Sequence, residues 1–206
     1  VCGETVEEYA EVSRIASEAK GVHALEINIS CPNVRTGGIA FGTDPAMTHD
    51  VVAAVRKASR LPVIPKLSPN VTDITVFARA CEEAGADAIS CVNTFLGLAV
   101  DVETRKPKLA FGTGGLSGPA IRPLAVRMTF QAARAVKIPI IGIGGIASAT
   151  DALEFFIAGA AAVQVGTMNF SRPNIYAEIE EGLVDYLSRH QLSSVLDLVE
   201  TIKFPR

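Results

Sequence analysis

A thiol and two carboxamides lie close together in EINISCPNVRTGG, residues 26–38, where an apolar run stops. Alternate residues of a strand face the same side, so Asn28 and Ser30 are expected to share a face, with Cys31 just beyond the strand end. A loop thiol serves as a general base when its pKa is tuned toward the working pH. Carboxamides both donate and accept, which suits Asn28, Asn33 and the later Asn93 to a flat heterocycle of alternating N–H and C=O groups. Lys66, in IPKLS, takes the corresponding place on the next strand, and Asn93 with Thr94 on the one after. A lysine in such a mouth is costly unless paired, and a reduced flavin, negative near N1 and the C2 carbonyl, would supply the anion.

Two glycine-bearing strand ends suggest a phosphate cradle. IGIGGIASATDALEF carries Gly142, Gly144 and Gly145 ahead of a helix start, and VQVGTMNF ends its strand in Gly166 and Thr167. Glycine lets backbone N–H groups approach a ligand, and a helix N-terminus adds unpaired donors and a favourable dipole. Tight turns alone would also explain the glycines. A phosphate is carried by flavin mononucleotide (FMN), by sugar phosphates and by many other ligands, so the cradle names no single one.

The elements that must position these groups alternate. Helical spacing marks residues 4–20, 44–59, 73–85, 122–137, 148–160 and 174–190, and a last short helix is expected near 193–199. Between them, ALEINIS, LPVIPKLS, ADAISCVN, IPIIGIGG and AAVQVGT read as short buried strands. Near-continuous apolar strands each followed by a helix imply a parallel sheet covered by helices. Glycines at the strand ends favour a (β/α)8 TIM barrel, whose functional groups and phosphate sites gather at that face. About the last five βα units of such a barrel are expected here, in one domain over residues 1–206, because a whole barrel takes about 250 residues and the opening VCG reads as a strand tail. Residues 94–122 read as a long irregular stretch, a lid or an insertion over the site.

Composition narrows the function classes. Nineteen basic and twenty-two acidic residues give a net charge of −3, with no basic cluster that would track a phosphate backbone, so nucleic acid is not an expected partner. No apolar run reaches the roughly 20 residues of a membrane span, and a cytoplasmic location is expected. Of the four cysteines, Cys81, Cys91 and Cys2 read as structural, small buried hydrophobes. Their spacing offers no zinc site. Cys31 stays open between base and packing residue, as do Asn28 between ligand and core amide and Lys66 between ligand and snorkelling surface lysine. His23, His49 and His190 receive no role.

The segments EINISCPNVRTGGIAFGTDP, PKLSPNVTDI, AGADAISCVNT, GGLSGPAIRP, IIGIGGI and VQVGTMNF together resemble class 1 dihydroorotate dehydrogenases, specifically the B-type catalytic subunit, in the family's order and over nearly the whole chain. The resemblance implies an FMN barrel that oxidises dihydroorotate to orotate in pyrimidine biosynthesis. Cys31 falls at the catalytic base, which class 2 enzymes replace with serine. Asn28, Asn33, Asn93 and Thr94 fall at substrate positions, Asn28 and Lys66 beside the flavin, and Gly118, Gly144, Gly145, Gly166 and Thr167 along the cofactor and its phosphate. It further implies a homodimer and a partner subunit carrying FAD and an iron–sulfur cluster that passes electrons to NAD. The family's upstream strands add a lysine at the flavin and an asparagine at the substrate, and no segment here matches them. A relative acting on another pyrimidine, of the dihydropyrimidine dehydrogenase type, and an inactive fragment are the alternative expectations.

Overall fold

Strands too apolar to face water alternate along the chain with helices that offer an apolar stripe to cover them. The structure, a computed structural model, describes residues 1–30 and 38–205. Its elements begin with α1 (Val6–Glu18), β1 (Leu25–Asn28), α2 (Gly38–Thr43), α3 (Pro45–Ala58), β2 (Val63–Lys66), α4 (Ile74–Glu83) and β3 (Ile89–Cys91). Four short strands follow: β4 (Phe95–Leu98), β5 (Val100–Asp101), β6 (Lys106–Pro107) and β7 (Thr113–Leu116). The chain then returns to the alternation with α5 (Arg122–Ala133), β8 (Ile140–Ile143), α6 (Ala149–Ala158), β9 (Ala160–Gln164) and α7 (Ile175–His190). Helix starts follow local chemistry. Asp44, ahead of a proline, accepts from the Ala46 and Met47 amides, Asp73 from Thr75, and Ser148 from Asp151, each satisfying donors that the first turn leaves free.

β1, β2, β3, β8 and β9 form one parallel sheet in that spatial order. Each main strand therefore lies beside the one before it, with helices crossing over between, which is an arc of a β/α barrel. At the β1 edge, the Val1 amino group donates to the Glu26 carbonyl (2.7 Å) and the Val1 carbonyl accepts from the Asn28 amide (2.9 Å), the two bonds a parallel neighbour makes.

The sheet has two unlike faces. Leu25, Ile27, Ile29 and Val63 are buried toward the helices, and the last three join Val51, Val52 and Val55 of α3 in one core. Glu26, Asn28 and Lys66 alternate with them and lie half-buried on the opposite, concave face. Cys81 and Cys91 are buried in the core as expected, and burial pushes the Cys91 thiol up to about 12. Cys2 departs from expectation, since it is exposed and packs nothing away from water.

The stretch read as irregular, residues 94–122, is ordered into two antiparallel ladders. β4 pairs with β7 from Phe95 opposite Leu116 to Leu98 opposite Thr113, and β5 pairs with β6. Strands of two to four residues, rich in glycine and with no apolar alternation, leave little periodic signal. No helix among the described residues is long and apolar enough to cross a membrane.

Ile27 is fully buried between sheet and helices, so Ile27→Ala removes three carbons from a packed core. A loss of about 2–5 kcal/mol is expected, read as a lower denaturant midpoint with an unchanged slope.

Candidate functional site

Three adjacent strands stop at the same level and place polar side chains side by side. Asn28 is opposite Lys66, and Lys66 opposite Ser90, in the parallel register. Hydrogen bonds continue past the strand ends: the Val92 amide donates to the Ile143 carbonyl and the Asn93 amide to that of Leu67. Asn93 is thereby turned toward β1. Its Nδ2 donates to Asn28 Oδ1 (3.0 Å) and to Ser30 Oγ (2.6 Å), while its Oδ1 accepts from the Thr94 amide (2.7 Å). Tyr9, on the buried face of α1, donates its hydroxyl to the Asn28 carbonyl and fixes that strand end from behind. The expected grouping of Asn28, Ser30, Asn93 and Thr94 is present, whereas Cys31 and Asn33 lie outside the described residues.

Lys66 finds its anion inside the protein. Glu26, two residues before Asn28 on the same face, accepts from Lys66 Nζ at Oε1 (3.4 Å) and from Ser90 Oγ (2.7 Å) and Gln164 Nε2 (2.8 Å) at Oε2. Burial pushes its carboxyl pKa up, but the bonds from Ser90 and Gln164 and the charge of Lys66 outweigh that, and the group sits below its ordinary value of 4.5. Sequence reasoning gave Glu26 no role. The signal was its place in EINIS, in phase with Asn28 and Ser30, since a carboxylate in a strand needs partners.

Opposite these groups, the loops after β8 and β9 and the end of β7 complete a cleft of about 220 Å³. Lys66, Asn93 and Thr94 line one side, and Ser117, Gly118, Gly144, Gly145, Gly166 and Thr167 line the other. The glycines are there for different reasons. At Gly145, φ is +77° and a Cβ would stand 2.7 Å from the Gly118 carbonyl oxygen; at Gly144 it would stand 2.6 Å from Ala125 Cβ. Protein packing alone demands both. At Gly166 a Cβ would meet nothing within 4 Å, so that position is free of internal constraint and opens on the cleft. Behind the loop, Asp151 is buried, accepts from the Ala147 amide (2.9 Å) and pairs with Arg122, which braces the turn. A second, smaller hollow of about 50 Å³, lined by Ser30, Ser68, Asn70 and Leu96 among others, meets the cleft at Thr94. Asn70, not singled out in the sequence, donates to the Thr94 carbonyl (3.1 Å) and accepts from the Leu96 amide (2.8 Å).

The family model described as dihydroorotate dehydrogenase matches residues 1–187. The chain belongs to the dihydroorotate dehydrogenase family. It is 57% identical over 201 residues to a protein of Pelobacter propionicus and 55% identical over 202 residues to one of Porphyromonas gingivalis, both named dihydroorotate dehydrogenase B (NAD(+)), catalytic subunit. Each alignment covers 98% of this chain and 66% of the relative, so the chain spans about two thirds of the length of the curated relatives it matches. Among solved structures, dihydroorotate dehydrogenase of Eimeria tenella in complex with ferulenol superposes with a TM-score of 0.79 at 22% identity, over 95% of this chain and 57% of that one. The five-stranded sheet is thus part of a TIM-barrel-type α/β fold, as the family's fold requires.

In this family member the folded-state pKa of Glu26 is depressed, so its ionised form adds stability above the unfolded value of 4.5 that is lost as pH falls through the lower folded value. Glu26→Gln lacks this titration. Denaturant midpoints at about pH 7 and about pH 3.5 are expected to show the parent's advantage over the variant shrinking at the acid condition.

Proposed function

We propose that the protein oxidises (S)-dihydroorotate to orotate, a step of pyrimidine biosynthesis, with FMN seated in the cleft between Lys66 and the loops at Gly144, Gly145, Gly166 and Thr167. The observation that carries the reading is the meeting of two cavities at Thr94: a large cleft with a cation on one side and an unconstrained glycine on the other, and beside it a smaller hollow lined mainly by hydroxyl and carboxamide residues. Such a pair suits a flat cofactor with a phosphate next to a small polar substrate. When bound, FMN supplies the hydride acceptor.

The roles of the chain's own residues are those the family resemblance implies, and their chemistry suits them. Lys66, on the cleft wall, would hold its ammonium against the pyrimidine end of a bound flavin, where negative charge grows on reduction, and Gly118 would bring backbone against the cofactor. Asn28, Asn93 and Thr94, already linked to one another, hold the substrate ring by complementary donors and acceptors, with Asn33 joining them. Cys31, one residue past Ser30, takes the proton from substrate C5 as general base. The names of the relatives, which specify NAD(+) and a catalytic subunit, support a partner subunit linked to NAD; the resemblance adds FAD and an iron–sulfur cluster on that subunit and a homodimeric core.

The test is the visible spectrum of the purified protein after incubation with FMN and again after anaerobic dihydroorotate. Bound flavin that bleaches is the expected result; flavin that stays oxidised with dihydroorotate overturns the substrate, and failure to retain FMN overturns the cofactor. Cys31→Ser is expected to keep FMN bound while slowing its bleaching by about 10²-fold or more, the usual worth of a positioned base. Unchanged bleaching would remove Cys31 as the base.

A further inference from the structure

Three strands send a group to one carboxylate on a fourth. Glu26 comes from β1, Lys66 from β2, Ser90 from β3, and Gln164 from β9 on the far side of the arc. The carboxylate cannot turn freely, because two neutral donors hold Oε2 and leave Oε1 for the ammonium. Side-chain exposures of 32% for Glu26 and 21% for Lys66 keep the pair largely away from screening water. Lys66 lines the cleft, and Glu26 stands beneath it on the concave wall.

A lysine is a compact charge on a flexible stem, so its field at a ligand depends on what anchors and offsets it. Fixed charges in a partly dry site act strongly because they need not reorganise as charge moves. Reduction adds negative charge to a flavin. An uncompensated ammonium favours that change, and a carboxylate locked behind it opposes it.

We propose that Glu26 is a positioning residue that acts through Lys66: it anchors the ammonium at the cleft, offsets its charge and so sets how readily a flavin bound there accepts electrons. The inference rests on the FMN reading of the cleft. Ser90 and Gln164 belong to the same device, since their hydrogen bonds spread the carboxylate's charge and hold it in place.

The experiment is a reductive titration of FMN bound to the parent protein, Glu26→Gln and Ser90→Ala, with the midpoint potential as readout. Glu26→Gln keeps the shape and removes the charge, so its potential is expected to rise by at least a tenfold change in the equilibrium constant, about 30 mV for a two-electron couple. Ser90→Ala leaves the carboxylate ionised with one donor fewer, and its potential is expected to fall. A purely structural Glu26 would alter melting temperature or FMN retention without moving the potential of the flavin that remains bound. A parent-like or lowered potential in Glu26→Gln overturns the proposal. Should that variant fail to fold, a parent-like or raised potential in Ser90→Ala does the same. A parent protein that retains no FMN overturns the cofactor reading and this inference with it, a result separate from retained FMN with an unmoved potential.

Discussion

Parallel pairing decides where each strand ends relative to its neighbours, and the whole site hangs on that alignment. Asn28, Lys66 and Ser90 share a level because the hydrogen-bond ladder between β1, β2 and β3 puts them there. One step of slip would turn the polar set toward the helices and the apolar set outward. The apolar face opposes this: Ile27 and Val63 are wholly buried in the core they share with α3, and a one-residue slip would turn them out of it. The concave face can then carry charge, provided each charge meets a partner across the strands.

The glycine-rich loops divide into scaffold and surface. Gly144 and Gly145 let the turn after β8 press against α5 and the Gly118 carbonyl, with Asp151 and Arg122 behind it. That packing makes the loop rigid before any ligand arrives, which is the condition for a precise binding edge. Gly166 has no such internal duty. The same residue type thus does two jobs within one wall, and only three-dimensional neighbours tell them apart.

Much of this was legible in the chain itself. The helix-strand alternation and the grouping of Asn28, Asn93 and Thr94 follow from periodicity and from which residues end a strand. The partner of Lys66 did not, because Glu26 lies 40 positions away in sequence and meets it only once the strands are in register. Gln164 is more remote still, joined to Glu26 across 138 positions. The ladders within residues 94–122 escaped for the opposite reason: they are local, but too short and glycine-rich to carry a period. Cys2 was misread since a small apolar-looking residue says nothing of its neighbours at a chain start.

The way those ladders are tied has a consequence for how the chain tolerates change. Asn70 and the β4–β7 pairs fasten the base of the excursion next to Thr94 and Ser117. Beyond that seam, Val102 and Phe111 are more than three-quarters exposed, and the turn from Ala99 to Lys108 closes on itself. Residues 99–112 therefore form an exposed tip that does not line the cleft. Insertions, deletions and changes of polarity there leave the strand ends undisturbed, as expected for an exposed turn fastened at its base. The tip can diverge in length and character while the site below keeps its shape.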